Sequence, residues 1–383
     1  MSEPTALVEG FCTPRFEPLR QVFTQLIESG QDLGASLAVT VDGEFALDLW
    51  GGWADEERTQ RWQRDTITNV FSTTKTMIAL AALVLVERGQ LDLDAPVARY
   101  WPEFAAAGKS GVLVRHILSH TSGVSGWEQP MTTEDMYDWD KCVTLLAAQE
   151  PWWTPGTASG YHALTMGFLV GEVVRRITGR AFGRFFAEEI AGPLGADFHI
   201  GLARSEFARV SNVVPWPPQP VDSTMDPQSV AFKTAAHTVL KDLRDVWSDA
   251  WRQADFPSAN GHGNARSVAR LQSVVANGGE VGGVRLLSPR TIARIFEVQA
   301  DGVDLVIGAP LTMGIGYSLP HRETLPFLPD GRICLWGGAG GSIVIVDVDR
   351  RMTFAYVMNK MTPGIVGAHV PALASCFYEI VGG

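Results

Sequence analysis

Cysteine is scarce in this chain. Four residues, Cys12, Cys142, Cys334 and Cys376, are far apart in 383 and form no C-x-x-C pair. Such spacing fits reduced thiols in a cytoplasmic protein better than a disulfide framework. Basic residues are also outnumbered: 31 Lys and Arg stand against 42 Asp and Glu, a net charge of −11. No run of cations could follow a phosphate backbone, so nucleic acid is excluded as a partner. Long apolar runs are missing too. The most apolar helical stretch, Met77 to Val86, falls far short of the ~20 residues that span a bilayer. The opening MSEPTALVEGFCTPRF carries Glu3, Pro4 and Glu9 where a secretory leader needs a basic start and an unbroken apolar segment. The expectation is a soluble, cytoplasmic protein with no membrane partner. There is no internal repeat, no Walker pattern and no G-x-S-x-G nucleophile elbow, which counts against an α/β-hydrolase.

A hydrophobic share of 46% supplies a large core. Residues 15–30 show helical spacing and stop at Gly30. Residues 35–52 read as two alternating strands around Asp42-Gly43, a strong hairpin signal. Near the C-terminus TMGIGYSL, RICLWGGAG, SIVIVDVD and RMTFAYVMNK read as short strands, followed by a helix over 368–380. Strands at both ends with helices between imply an α+β protein. Its antiparallel sheet would be built from residues 1–99 and 286–383 and flanked by helices. Residues 100–285 would form an inserted, mostly helical region, with the active site between the two. Helices are expected there over 161–178, 181–190 and 265–278. The proline-rich stretch 213–228 is a loop, and the wider segment 200–262 is a lid, a pocket wall or a plain connection.

The chemistry begins at FSTTK. Ser72 and Lys75 are three apart at the mouth of an apolar helix, so they share a face. A helix N-terminus offers free backbone N–H groups and a positive dipole end. A serine there has donors for a developing oxyanion and an amine to take its proton. An ordinary lysine near ~10.4 is a poor base, but desolvation and the dipole both favour its neutral form. Alone, S-x-x-K is a weak signal, since a capping serine and a surface lysine produce it too.

FSTTK is followed in order by LDLDAPVARYWPEF, VRHILSHTSGV, PGTASGYHALTMGFLVGEVVRRITG and LWGGAGGS. From about residue 15 to the C-terminus this pattern resembles the serine β-lactamase-like superfamily, on its class C and penicillin-binding protein side. Within it the pattern is most similar to the family VIII bacterial carboxylesterases. The resemblance implies a β-lactamase/transpeptidase-like fold, with Ser72 as nucleophile and Lys75 as its base. Tyr161 matches the tyrosine of a Y-x-N motif that relays protons, with its phenol pKa lowered by the neighbouring cation. Ala163 stands where that motif has asparagine. Trp336 replaces the lysine of K-T-G, which argues for neutral esters over substrates carrying a carboxylate. Gly337 and Gly338 would let the strand approach a ligand, and the N–H groups of Ser72 and Ala339 would form the oxyanion hole.

Other residues stay open on sequence. His162 either lines the entrance or faces solvent. Trp127, Trp152 and Trp153 either wall an acyl or alcohol pocket or belong to the core. His116 and His120 have a metal-like spacing but lack an H-E-x-x-H pattern and a third ligand; His120 matches a structural hydrogen-bonder. GHGNARS (261–267) reads as a turn that shapes the pocket, with Asn264 or Ser267 capping the next helix. The expectation is a serine carboxylesterase acting on short- to medium-chain neutral esters, with no metal or cofactor. A β-lactamase, a D-amino-acid peptidase or an acyltransferase would share the acyl-serine. A non-catalytic binding protein would be expected to lack one of Ser72, Lys75 and Tyr161.

Overall fold

Asp42 and Gly43 both take positive φ, +51° and +84°, and turn β2 (Gly34–Val41) directly into β3 (Glu44–Gly52). That is the mirror-image turn whose twist matches a hairpin. The computed structural model describes residues 8–217, 225–236, 240 and 242–382. β1 (Val8–Cys12) lines the outer edge of β3. Six further strands come from the last third of the chain: β4 (Ala300–Val303), β5 (Pro310–Met313), β6 (Ser318–Leu319), β7 (Ile333–Gly337), β8 (Ile343–Asp347) and β9 (Met352–Met358). β9 pairs with β2, Ala355 opposite Ala38, and joins the two ends of the chain. The order is β1-β3-β2-β9-β8-β7-β6-β5-β4, with every neighbouring pair antiparallel.

β8 and β9 are buried along their whole length, so both faces of the sheet must be covered. On one face α1 (Glu17–Glu28) and the C-terminal helix pack together, with Phe377 against Phe354 of β9. On the other lies the helix Ala265–Ala276, whose first N–H donates to Ser36 Oγ of β2 at 3.0 Å. Ser36 is registered to Val357, three residues from Phe354, so the two helical layers meet opposite faces. α2 (Lys75–Glu87) is apolar all round and buried from Lys75 to Leu85, with β7 and the helix Thr165–Thr178 among its neighbours. Among the described residues no helix is long and apolar enough to cross a membrane.

Three expectations shift. The helix 265–276 falls within the stretch assigned to the helical region but packs on the sheet, because Asn264 and Ser267 cap it beside β2. The helix expected over 161–178 begins only at Thr165, leaving Tyr161 in irregular chain. The one expected over 181–190 is α-helical from Phe182 to Phe186 and then widens into a π-turn, Ala187–Ala191. Residues 1–7, part of the proline-rich loop (218–224), and 237–239 and 241 within the lid segment lie outside the described residues.

Candidate active site

The serine sits on a strained, heavily anchored turn. Phe71 is buried at φ +44°, a region that non-glycine residues rarely occupy. Ser72 follows in a 3-10 turn, Phe71–Thr74, that leads into α2 rather than in the α-helix itself. Thr74 Oγ1 donates to Phe71 O at 2.5 Å and accepts the Gly261 N–H at 3.1 Å. Val70 N–H donates to Gly261 O at 2.9 Å, and Ser342 Oγ donates to Val70 O at 2.8 Å. GHGNARS therefore buttresses the serine turn, and its residues do not line the cavity beside Ser72.

The protons around Ser72 can be placed one by one. Lys75 Nζ lies 2.7 Å from Ala163 O, 3.0 Å from Ser258 O and 3.1 Å from Ser72 Oγ. Burial drives its ammonium pKa well below the ordinary value, which favours the neutral amine. A neutral amine has two hydrogens and one lone pair. The two carbonyls take the hydrogens, and the lone pair is left for the Ser72 hydroxyl. Tyr161 O–H donates to Ser72 Oγ at 2.5 Å. With the amine neutral, each group in the chain Tyr161–Ser72–Lys75 donates to the next and Ser72 Oγ is polarised toward the amine; with the amine protonated, Lys75 Nζ donates to Ser72 Oγ instead.

The expected tuning of Tyr161 is overturned. Its phenol is pushed up to about 12, because burial outweighs the bond to Ser72. A neutral Lys75 supplies no cation to lower it. Ala163 contributes through its backbone carbonyl, so the missing asparagine side chain does not remove a contact to Lys75.

Ser72 and Tyr161 open onto a cavity of about 370 Å³, and among the described residues no charged side chain lines it. Leu164, Leu240 and Leu243 bound it on the helical side, Leu311, Leu335 and Trp336 on the sheet side. Gly337, Gly338 and Ala339 also line it. Among the described residues neither the Ser72 N–H nor the Ala339 N–H finds an acceptor. Gly338 must be glycine. A Cβ there would lie 2.1 Å from Val70 O and 2.5 Å from Ser342 Oγ. We expect Gly338→Ala to push the strand end off the serine turn. Urea unfolding should show a loss of about 1–3 kcal/mol, accompanied by a fall in turnover.

Three sequence-assigned pocket residues are not in the cavity. Trp127 is buried and its indole N–H donates to Cys142 O at 3.1 Å, which makes it core. Trp153 lies behind the tyrosine segment, over Gly160, with its N–H on Ala158 O at 2.9 Å. His162 is fully buried. It neither lines the entrance nor faces solvent, but bridges Ser122 Oγ and Gly160 O, each at 2.6 Å. Burial pushes its pKa down to about 4, so it is neutral. His116 and His120 diverge: His116 Nδ1 caps its own turn at Leu113 N. His120 Nδ1 instead accepts the His162 N–H at 3.1 Å, and its ring packs against Tyr161 and Trp336. Sequence reasoning missed Ser258, Ser342 and Asp304. Ser342 closes the LWGGAGGS block but was given no role there, no local motif marks Ser258 or Asp304, and each of the three acts on residues more than ninety positions away.

Fold and site together define a serine hydrolase of the β-lactamase/transpeptidase-like fold. The family model described as Beta-lactamase matches residues 19–374, and the chain belongs to that family. It is 32% identical to Esterase/beta-lactamase LipL of Mycobacterium tuberculosis, over 94% of this chain and 84% of that protein. It is 29% identical to Esterase EstB of Burkholderia gladioli, over 94% of each. The crystal structure of a family VIII carboxylesterase superposes with a TM-score of 0.91 at 38% identity, covering 98% of this chain and all of that one.

Proposed function

We propose that this protein is a cytoplasmic serine carboxylesterase that hydrolyses short- to medium-chain neutral esters through an acyl-Ser72 intermediate. The observation that carries the reading is a cavity opening on the Ser72–Lys75–Tyr161 chain whose described lining is apolar and uncharged. Among the described residues a substrate carboxylate would find no cation in that wall, whereas an acyl chain finds leucine and tryptophan surface. The esterase relatives support the same chemistry. The four free cysteines suit a reducing compartment. In this reading the site lies between the sheet unit, residues 1–99 and 286–383, and the mostly helical region 100–285, except that the helix Ala265–Ala276 of that region packs on the sheet.

Ser72 Oγ attacks the ester carbonyl and its proton passes to the Lys75 lone pair. The N–H groups of Ser72 and Ala339 hold the oxyanion. As the C–O bond breaks, that proton leaves with the alcohol by way of Tyr161, whose hydroxyl lies against Ser72 Oγ. Water then takes the alcohol's place, gives up a proton along the same path, and releases the acid with Ser72 restored.

The test is turnover of p-nitrophenyl esters from acetyl to octanoyl beside a chromogenic cephalosporin. We expect ester turnover that falls as the acyl chain outgrows the cavity, with little loss of the cephalosporin. Cephalosporin turnover matching that of the esters would give the site to a β-lactamase instead. Efficient transfer of the acyl group to an added alcohol in place of water would make it an acyltransferase.

A further inference from the structure

One buried carboxylate beside the site has no part in the steps above. Asp304 is 1% exposed and follows the edge strand β4. Among the described residues it forms no ion pair. Its Oδ1 accepts three backbone N–H groups instead: Tyr161 at 3.0 Å, Val306 at 2.9 Å and Ile307 at 2.9 Å. A carboxylate acceptor makes such bonds short and strong.

The same turn is stitched on every side. Asp304 N–H donates to Ala309 O at 3.0 Å, Gly308 N–H to Asp304 O at 2.9 Å, and Leu305 N–H to Ser159 O at 2.8 Å. Residues 304–309 and 159–161 therefore form one block, although 143 positions separate Asp304 from Tyr161. Two members of that block face the reaction. Tyr161 places its phenol on Ser72, and Ile307 lines the cavity. Tyr161 precedes the helix that begins at Thr165, so no helical bond fixes its backbone. Its carbonyl accepts the Ala163 N–H at 2.9 Å, a bond within its own segment, and the Asp304 oxygen holds its N–H from across the site.

We propose that Asp304 is a positioning residue that locks the Tyr161 phenol and the Ile307 wall of the cavity into a single unit. It thereby sets both the rate of the chemical step and the choice of acyl chain. The proposal rests on the esterase reading and deepens it, since the group that aligns the proton donor also fixes one wall of the acyl site.

The experiment compares Asp304→Ala, Asp304→Asn and Asp304→Glu with wild type on acetyl and octanoyl p-nitrophenyl esters, with circular dichroism to confirm folding. Asn keeps an acceptor oxygen at the same reach, while Glu keeps the charge but displaces it. We expect Ala and Glu to lower kcat by about 10²-fold, the cost of a small misplacement of a reacting group. The acetyl-to-octanoyl ratio should change with it. Asn should stay within about tenfold of wild type, as charge-assisted bonds become neutral ones. If Ala does not fold, Asn against Glu decides the matter. A folded Ala or Glu variant with wild-type kcat and acyl preference overturns the proposal, and so does an Asn variant as impaired as Glu. A Ser72→Ala control separates the two readings. Turnover that survives it overturns the esterase assignment itself, whereas turnover lost there but unchanged in the Asp304 variants overturns only the positioning role.

Discussion

Replacing Ser72 by alanine should lower ester turnover by about 10⁵- to 10⁶-fold, the scale seen when the nucleophile of an acyl-enzyme is removed. The fall is large because Ser72 Oγ is the point through which the whole proton chain runs. Without it, the Tyr161 hydroxyl and the Lys75 amine face each other across a gap with no atom to activate. What survives is the cavity and two N–H groups, which can bind an ester and polarise its carbonyl but cannot cleave it. Folding should change little. Lys75 keeps its bonds to Ala163 O and Ser258 O, and the turn keeps the anchors supplied by Thr74, Gly261 and Ser342. The measurement is a pair: steady-state turnover, and mass spectrometry after exposure to a fluorophosphonate. Wild type should gain one phosphonyl adduct on Ser72, and the variant none. An adduct on another residue, or turnover within tenfold of wild type, would place the nucleophile elsewhere.

Parts of this site were legible in the sequence because they are local. Asp42-Gly43 demanded a tight hairpin, and the turn is there with both residues at positive φ. The closeness of Ser72 and Lys75 was legible from spacing, since a separation of three brings side chains together in a 3-10 turn as in an α-helix, while their role was legible only from the sequence blocks that follow. Lys75 was legible electrostatically as well, because the apolar helix that follows it implies burial, and burial favours the neutral amine.

What failed was whatever depends on distant partners. Trp127 and Trp153 lie in sequence just ahead of Tyr161, but each indole N–H has found a backbone carbonyl that turns it away from the cavity. Tyr161 itself was read as opening a helix. Its N–H goes instead to Asp304, which the sequence places after strand β4 with no motif around it. The phenol pKa went wrong for a related reason. A cation beside a tyrosine does lower it, yet the same burial that encloses Tyr161 removes the charge from Lys75. Desolvation therefore wins at both groups.

That joint neutrality leads to a second large effect, at Lys75. In wild type kcat/KM should rise with pH as the amine loses its proton, then stay flat, because the Tyr161 phenol does not ionise until about 12. Lys75→Met should cost about 10²- to 10⁴-fold in kcat and abolish the acidic limb, since no titrating base remains. Stability carries the same signature with a fixed sign. The folded pKa of Lys75 lies below its ordinary value of 10.5, so between the two the unfolded chain binds one proton more than the folded one. Wild-type stability must then rise with pH across that window and fall as pH drops toward the folded pKa. In Lys75→Met this slope is gone. The variant should therefore gain on wild type as pH is lowered and lose that advantage as pH approaches 10.5. His120 and His162 also titrate differently in the two states, and Lys75 is a lesser cause of both shifts, so the comparison is read most directly above pH 7, where an unfolded histidine is already largely deprotonated. Thermal melts of the pair between pH 6 and pH 10 read the difference directly. A constant gap in Tm across that range would mean that Lys75 is charged in the folded protein. The amine could not then be the base for Ser72, whatever the activity of the variant.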